Sequence, residues 1–323
     1  MSPSTETDAM PACKSLPPTS HATKAWRGMD PNTLEREYSP SSCINGNYQP
    51  FTEAYRTQSQ RARAHSAALG GRWQTLAYGS KPSQSIEICV PPTREDGDAG
   101  ARAKWPLLVY IHGGYWQELG AHDSLFAADA CIARGVAFAA VDYTLAPAAS
   151  VVQIVTECRL AANCLAENAQ ALGLDVDRFV VCGSSAGGHL AAMVALPGWQ
   201  TDAMSPRVRW RAAILVSGVF ELEPLVGTSI NDALGLDVAA AQSASPCYQP
   251  VEGFATAVVA WGSIETAEFK RQSRAFASQL GAAGVPCETL EIEGRNHFDV
   301  IMDIADPATA LGQRTWGFLQ PGE

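Results

Sequence analysis

The chain has 323 residues, enough for one large α/β core, and its 46% hydrophobic and 17% charged content is that of a globular protein. A formal charge of −10 argues against nucleic acid or an anionic membrane surface as a partner, and no apolar stretch reaches the length of a membrane span. Nine scattered cysteines, odd in number and never spaced Cys-x-x-Cys, read as free thiols of a cytoplasmic protein rather than as a disulfide framework.

Residues 1–33 are rich in Ser, Thr and Pro near their start and lack the apolar core of a secretory signal. They are expected to form a disordered arm ahead of a single domain over 34–323. A polar, proline-free run at 51–69 predicts a helix stopped by Gly70 and Gly71. Two strand-like runs, 73–78 and 85–90, flank a Gly/Ser/Lys/Pro turn and predict an antiparallel edge hairpin.

From Trp105 onward strand and helix patterns alternate. Strands are expected at 107–111, 136–141, 179–182, 212–216, 256–261 and 288–292. Helices are expected near 124–134, 151–172, 188–196, 267–283 and 304–319. Continuous apolar strands between helices imply a parallel sheet covered on both faces, with ligands bound at the carboxyl ends of the strands. Residues 220–254 break the alternation and are expected to form a small cap over that edge.

Four places carry chemistry. The strand at 107–111 runs into His112-Gly113-Gly114-Tyr115-Trp116, a pattern suited to an oxyanion loop because paired glycines let backbone amides approach a substrate carbonyl. His112 is expected to brace that loop, and Tyr115 and Trp116 are candidates for the wall of an aromatic subsite. Gly183-Ser184-Ser185-Ala186-Gly187 lies between an apolar strand and an Ala-rich helix ended by Pro197. That context makes Ser185 a nucleophile on a strained turn, with the Ala186 amide beside it as the partner of Gly113 and Gly114.

A serine nucleophile of this kind needs an acid and then a histidine, in that chain order. Only His189 and His297 follow Ser185. His189 lies on the helix leaving the turn and should point away, whereas His297 sits just past the last strand. His297 is therefore the expected base. Glu265, close to the end of the 256–261 strand, is favoured as the acid over Glu268, which a helix N-terminus would explain. Asp142 is expected to brace the oxyanion loop, and Asp299 to cap a helix. Six histidines without paired spacing suggest neither a metal site nor any cofactor.

Together, His112 to Trp116, Asp142-Tyr-Thr-Leu-Ala-Pro147, Gly183 to Leu190 and Asn296-His-Phe-Asp299 resemble the α/β-hydrolase type of arylformamidase, or kynurenine formamidase. Glu35-Arg-Glu-Tyr-Ser-Pro40 and Glu268-Phe-Lys-Arg-Gln-Ser273 are similar to that family as well. Its wider relatives are esterases with an HGG oxyanion loop. The resemblance implies an α/β-hydrolase fold, no cofactor, and Ser185, Glu265 and His297 as nucleophile, acid and base. It implies a small aromatic amide or ester as substrate, kynurenine- or anthranilate-like. Two residues depart from the family pattern: Glu265 stands where Asp is expected and Ser184 where His is expected. A broad-specificity carboxylesterase and a non-catalytic small-molecule receptor of the same fold are the competing readings, and a homodimer is left open.

Overall fold

The computed structural model describes residues 26–92, 104–199 and 208–320. In chain order the elements are α1 (Pro31–Glu37), α2 (Gln49–Ala68), β1 (Arg72–Ala77), β2 (Ser85–Val90), β3 (Trp105–Ile111), α3 (Ala128–Ala133), β4 (Ala137–Val141), α4 (Val151–Leu172) and β5 (Leu174–Ser184). They continue with α5 (Ala186–Ala195), β6 (Trp210–Val216), α6 (Asn231–Leu234), α7 (Val238–Ala244), β7 (Thr256–Ile264), α8 (Ala267–Ala282), β8 (Cys287–Asn296) and α9 (Ala310–Leu319).

The strands form one sheet in the order β1-β2-β4-β3-β5-β6-β7-β8. The β1–β2 and β2–β4 pairs are antiparallel, and every pair from β4 to β8 is parallel. Strand order reverses between β3 and β5, which lie side by side with Ile111 opposite Gly183. At such a switch point the loops leaving two neighbouring strands diverge to opposite faces and leave a crevice for a ligand. This is an α/β-hydrolase fold.

The central strands are apolar on both faces because both are covered. Leu107, Val109 and Ile111 of β3 join a core with Ile154 and Leu165 of α4, Leu190 of α5 and Phe276 of α8. Leu108 and Tyr110 point the other way, into a core with Cys131 of α3 and with Leu311 and Trp316 of α9. Helix α4 matches its expected span because its ends are written locally. Ser150 and Gln153 form a capping box, and Gly173 closes the helix at φ +67°.

Several boundaries moved. Residues 26–33 are not a loose arm: Trp26–Gly28 forms a 3₁₀ turn and α1 begins at Pro31, capped by Asp30. The rest of the expected arm lies outside the described residues. The helix expected at 304–319 is split, with a 3₁₀ segment at Val300–Ala305 and α9 restarting after Pro307 under a Thr309 cap. The helix expected near 124–134 shrinks to α3. Strand β8 runs four residues further than its apolar pattern, because Ile264 pairs with Asn296 past a register shift. Ladder hydrogen bonds there override a polar sequence.

Residues 220–254, which connect β6 to β7 in the chain, form short helices, including α6 and α7. They are anchored through α5, all of whose residues are buried. His189 donates from Nε2 to the Ala244 carbonyl at 2.7 Å and accepts from the Trp116 indole at 3.2 Å. Burial holds the His189 imidazole neutral, with its pKa pushed down from 6.5 to about 4. The unfolded chain takes up this proton near pH 6.5 and the folded chain only near 4. Stability from this group is therefore complete above pH 6.5 and is lost as pH falls toward 4, by about 3 kcal/mol in all. Denaturant titrations of the wild type should show stability dropping between pH 7 and 5. His189→Gln should be less stable at pH 7 but flatter over that interval; an unchanged slope would mean that His189 is not the group responsible.

Candidate active site

The turn from β5 into α5 holds Ser185 at φ 58°, ψ −123°, a conformation costly for a residue with a Cβ. Its amide donates to Val216 O at 2.9 Å and its carbonyl accepts from His189 N at 3.0 Å. The turn closes only because Gly187 lacks a side chain. A Cβ there would lie 2.0 Å from the Ile111 carbonyl oxygen and 2.7 Å from that of His112. The end of β3 is thus in backbone contact with the first turn of α5.

That contact brings the loop after β3 onto the serine turn. A Cβ on Gly113 would meet Ser184 O at 2.7 Å and the Ser185 Cβ at 3.3 Å, and Gly114 follows at φ +92°. His112 is buried and braces the loop, donating from Nδ1 to Gly113 O at 2.9 Å while its ring stacks on Tyr143 at 4.1 Å. The Tyr143 hydroxyl donates to His112 O at 3.0 Å. Asp142, the residue expected to brace this loop, lies 3.5 Å from His112 Nε2, so the firmer brace is its neighbour Tyr143.

His297 emerges directly after β8 and is buried. Its Nδ1 donates to Glu265 Oε2 at 3.1 Å. Glu265 follows β7 directly, and its side chain is fully inaccessible to solvent. The other carboxylate oxygen, Oε1, accepts from the Ser217 hydroxyl and from the Gly262 amide, each at 2.6 Å. Two donors on one oxygen and an imidazole on the other compensate the burial of this charge. Sequence reasoning missed Ser217. Its signal was present but faint: a serine immediately after β6, held at φ +49°.

Glu268 lies in the first turn of α8 and faces elsewhere. It accepts the Tyr38 hydroxyl at 3.0 Å and is clamped by Arg271, with contacts of 2.8 to 3.0 Å. Asp299 stands at the N-cap position of the 3₁₀ segment, as expected, but makes no side-chain capping bond; its Oδ1 accepts the Asn296 amide at 2.7 Å and pins the turn that carries His297.

Ser185, His297, Gly113 and Gly114 border one cavity of about 350 Å³. Tyr115 also lines it, through an aromatic side chain whose hydroxyl donates to Tyr38 O. Trp116 does not. It is fully buried and T-stacked on His189 at 5.0 Å, so its expected place in the substrate wall is corrected to core packing. In its place the segment around α1 and α2 supplies Tyr38, Tyr48 and Tyr55. The expected cap contributes Ser229 and Ile230.

The comparisons with known proteins agree with this architecture. The family model BD-FAE matches residues 97–223. A kynurenine formamidase of Danio rerio is 27% identical over 291 residues, covering 87% of this chain and 94% of its own. Carboxylesterase NlhH of Mycobacterium tuberculosis is 25% identical over 265 residues, covering 74% and 79%. A solved structure from Silicibacter sp. TM1040 superposes with a TM-score of 0.71 at 25% identity, over 86% of this chain and 97% of its own. With the strained serine turn, the glycine loop and the mostly parallel sheet, these likenesses place the chain among the α/β-hydrolases, similar to the kynurenine formamidases and to carboxylesterases.

Proposed function

We propose that the protein is a serine hydrolase that cleaves an aryl amide, an N-formyl or longer N-acyl aromatic amine of kynurenine or anthranilate type, through an acyl-enzyme. The observation that carries this reading is that His297, hydrogen-bonded to the buried Glu265, borders the same cavity as the strained Ser185. His297, with Nδ1–H committed to Glu265, keeps Nε2 as the basic nitrogen. It takes the Ser185 proton as the oxygen attacks the carbonyl, and Glu265 stabilises the imidazolium that forms. The amides of Gly113, Gly114 and Ala186 stabilise the oxyanion. His297 then protonates the departing nitrogen, the C–N bond breaks, and the acyl group stays on Ser185. Water deprotonated by His297 attacks the ester and releases the carboxylic acid, which restores the serine.

An aryl amine is the favoured leaving group for a chemical reason. The ring shares the nitrogen lone pair, which weakens amide resonance, so an ordinary serine triad suffices without peptidase machinery. The likeness to kynurenine formamidases supports the amide reading, and that to carboxylesterase NlhH supports a carboxylesterase as the second reading.

Ser185→Ala should lower turnover of an anilide by several orders of magnitude with the melting temperature preserved; near-normal rates in a folded variant would remove Ser185 from the mechanism. Glu265→Gln should cost on the order of 10⁴ in kcat, the loss seen when a triad acid becomes an amide. Glu268→Gln should instead lower the melting temperature and largely spare kcat, since it loosens the contacts to Tyr38 and Arg271. The reverse pattern would move the acid to Glu268. Finally, kcat/KM should be higher for an N-acyl aryl amide than for an N-alkyl amide with the same acyl group. Equal rates, or turnover confined to alkyl esters, would favour the esterase.

A further inference from the structure

Most hydroxyls that border the cavity on its α2 side are committed within the protein. Tyr48 donates to Glu118, Thr52 to the Gln49 carbonyl, Tyr55 to the Phe298 carbonyl and Ser124 to the Gly120 carbonyl. Two are not. Tyr110 and Ser184 both border the cavity and are only 4% and 6% exposed. Neither hydroxyl has a hydrogen-bond partner among the described residues, yet neither is sealed inside the protein. Burial pushes the Tyr110 phenol well above its ordinary pKa, so it stays a neutral donor.

The sheet brings these two hydroxyls together. Tyr110 lies opposite Cys182 in the parallel β3–β5 pair, and both side chains belong to the core that includes α3 and α9. Gly183 faces the other way, toward its neighbour Gly187 on α5. Alternation along β5 therefore returns Ser184 to the face of Cys182 and Tyr110. The two side chains are diagonal neighbours on adjacent strands, a separation that an aromatic side chain can span.

The same face carries an aromatic wall. The Tyr110 ring meets Phe126 edge to face at 5.3 Å, and Phe126 stacks on Tyr55 at 6.1 Å. Tyr55 holds the Phe298 carbonyl, and the Phe298 ring meets that of His297 at 5.3 Å. In the mechanism above, the leaving group departs beside the imidazole that protonates it. Ser184 adjoins Ser185, with Cα atoms about 3.8 Å apart. An oxygen that meets the Ser184 hydroxyl must therefore lie within a few bonds of the reacting carbonyl. On an aromatic amine the ring position that satisfies this is the one ortho to nitrogen.

We infer that Tyr110 and Ser184 form a leaving-group subsite whose hydroxyls donate to a ketone or carboxylate oxygen carried ortho to the scissile nitrogen. The placement of the leaving group rests on the serine-hydrolase reading; recognition of the free amine by the two hydroxyls does not.

The test uses 2-aminoacetophenone, its isostere 2-isopropenylaniline, in which a methylene replaces the ketone oxygen, and 4-aminoacetophenone, each as free amine and as N-formyl derivative. In the wild type the calorimetric Kd should be lower for 2-aminoacetophenone than for 2-isopropenylaniline by about tenfold, the worth of one or two hydrogen bonds. Tyr110→Phe and Ser184→Ala should each reduce that preference about threefold or more. The ratio of kcat/KM between the two ortho formanilides should shrink alike, since comparing ratios between enzymes cancels the different acidities of the leaving amines. The preference for 2- over 4-aminoacetophenone should shrink in parallel. No wild-type preference for the ketone over the isopropenyl amine would overturn the inference. So would a preference unchanged in either folded variant, or an equal loss of affinity for the 2- and 4-acetyl amines. The expected order of Kd without hydrolysis of any formanilide would uphold the two-hydroxyl site and sink the serine-hydrolase reading.

Discussion

Everything at the site depends on one backbone contact, that between Gly187 in the first turn of α5 and the carbonyls of Ile111 and His112 at the end of β3. It exists because β3 and β5 are neighbours across the point where strand order reverses. It forces the serine turn to be tight, which is why Ser185 carries a positive φ. It also seats the Gly113–Gly114 loop against Ser184 and Ser185. Ser185 and the Gly113–Gly114 loop are thereby set by rigid strand ends.

Glu265 is positioned by a different device. Glu265 sits past the end of β7, and its Oε1 is tied to the β7 backbone at Gly262 and to Ser217 just beyond β6. A glutamate reaches one methylene further than an aspartate. That reach is taken up by the two donors behind it, leaving Oε2 on His297. His297 in turn is packed edge to face between Phe269 at 4.5 Å and Phe298 at 5.3 Å. The neighbouring Thr266 hydroxyl donates to Glu37 O at 2.6 Å, so the segment around α1 is part of the scaffold that holds Glu265.

Much of this was legible in the sequence where local chemistry is self-contained. The capping box of α4, the glycine turn around Ser185, the HGG loop and the edge hairpin each declare themselves within a few residues. The pairing of His297 with Glu265 rather than Glu268 also agrees with the local reading, in which a helix N-terminus already accounts for the latter. What was not legible depends on contacts between distant parts of the chain. Trp116 was expected at the substrate but is drawn into the core by His189, 73 residues away. Ser217 gains its meaning only once Glu265, 48 residues on, is folded beside it. The extension of β8 to Asn296 comes from pairing with β7, and the tyrosines from the α1–α2 region reach the cavity only through tertiary packing.

The measurement that bears most directly on the account is mass spectrometry after brief exposure to a fluorophosphonate, which phosphonylates only a serine activated by its surroundings. One adduct per chain, mapped to Ser185 and formed far more slowly in Glu265→Gln, is the expected result. No adduct, or an adduct mapped to another residue, would contradict the assignment of Ser185, His297 and Glu265 as one catalytic unit.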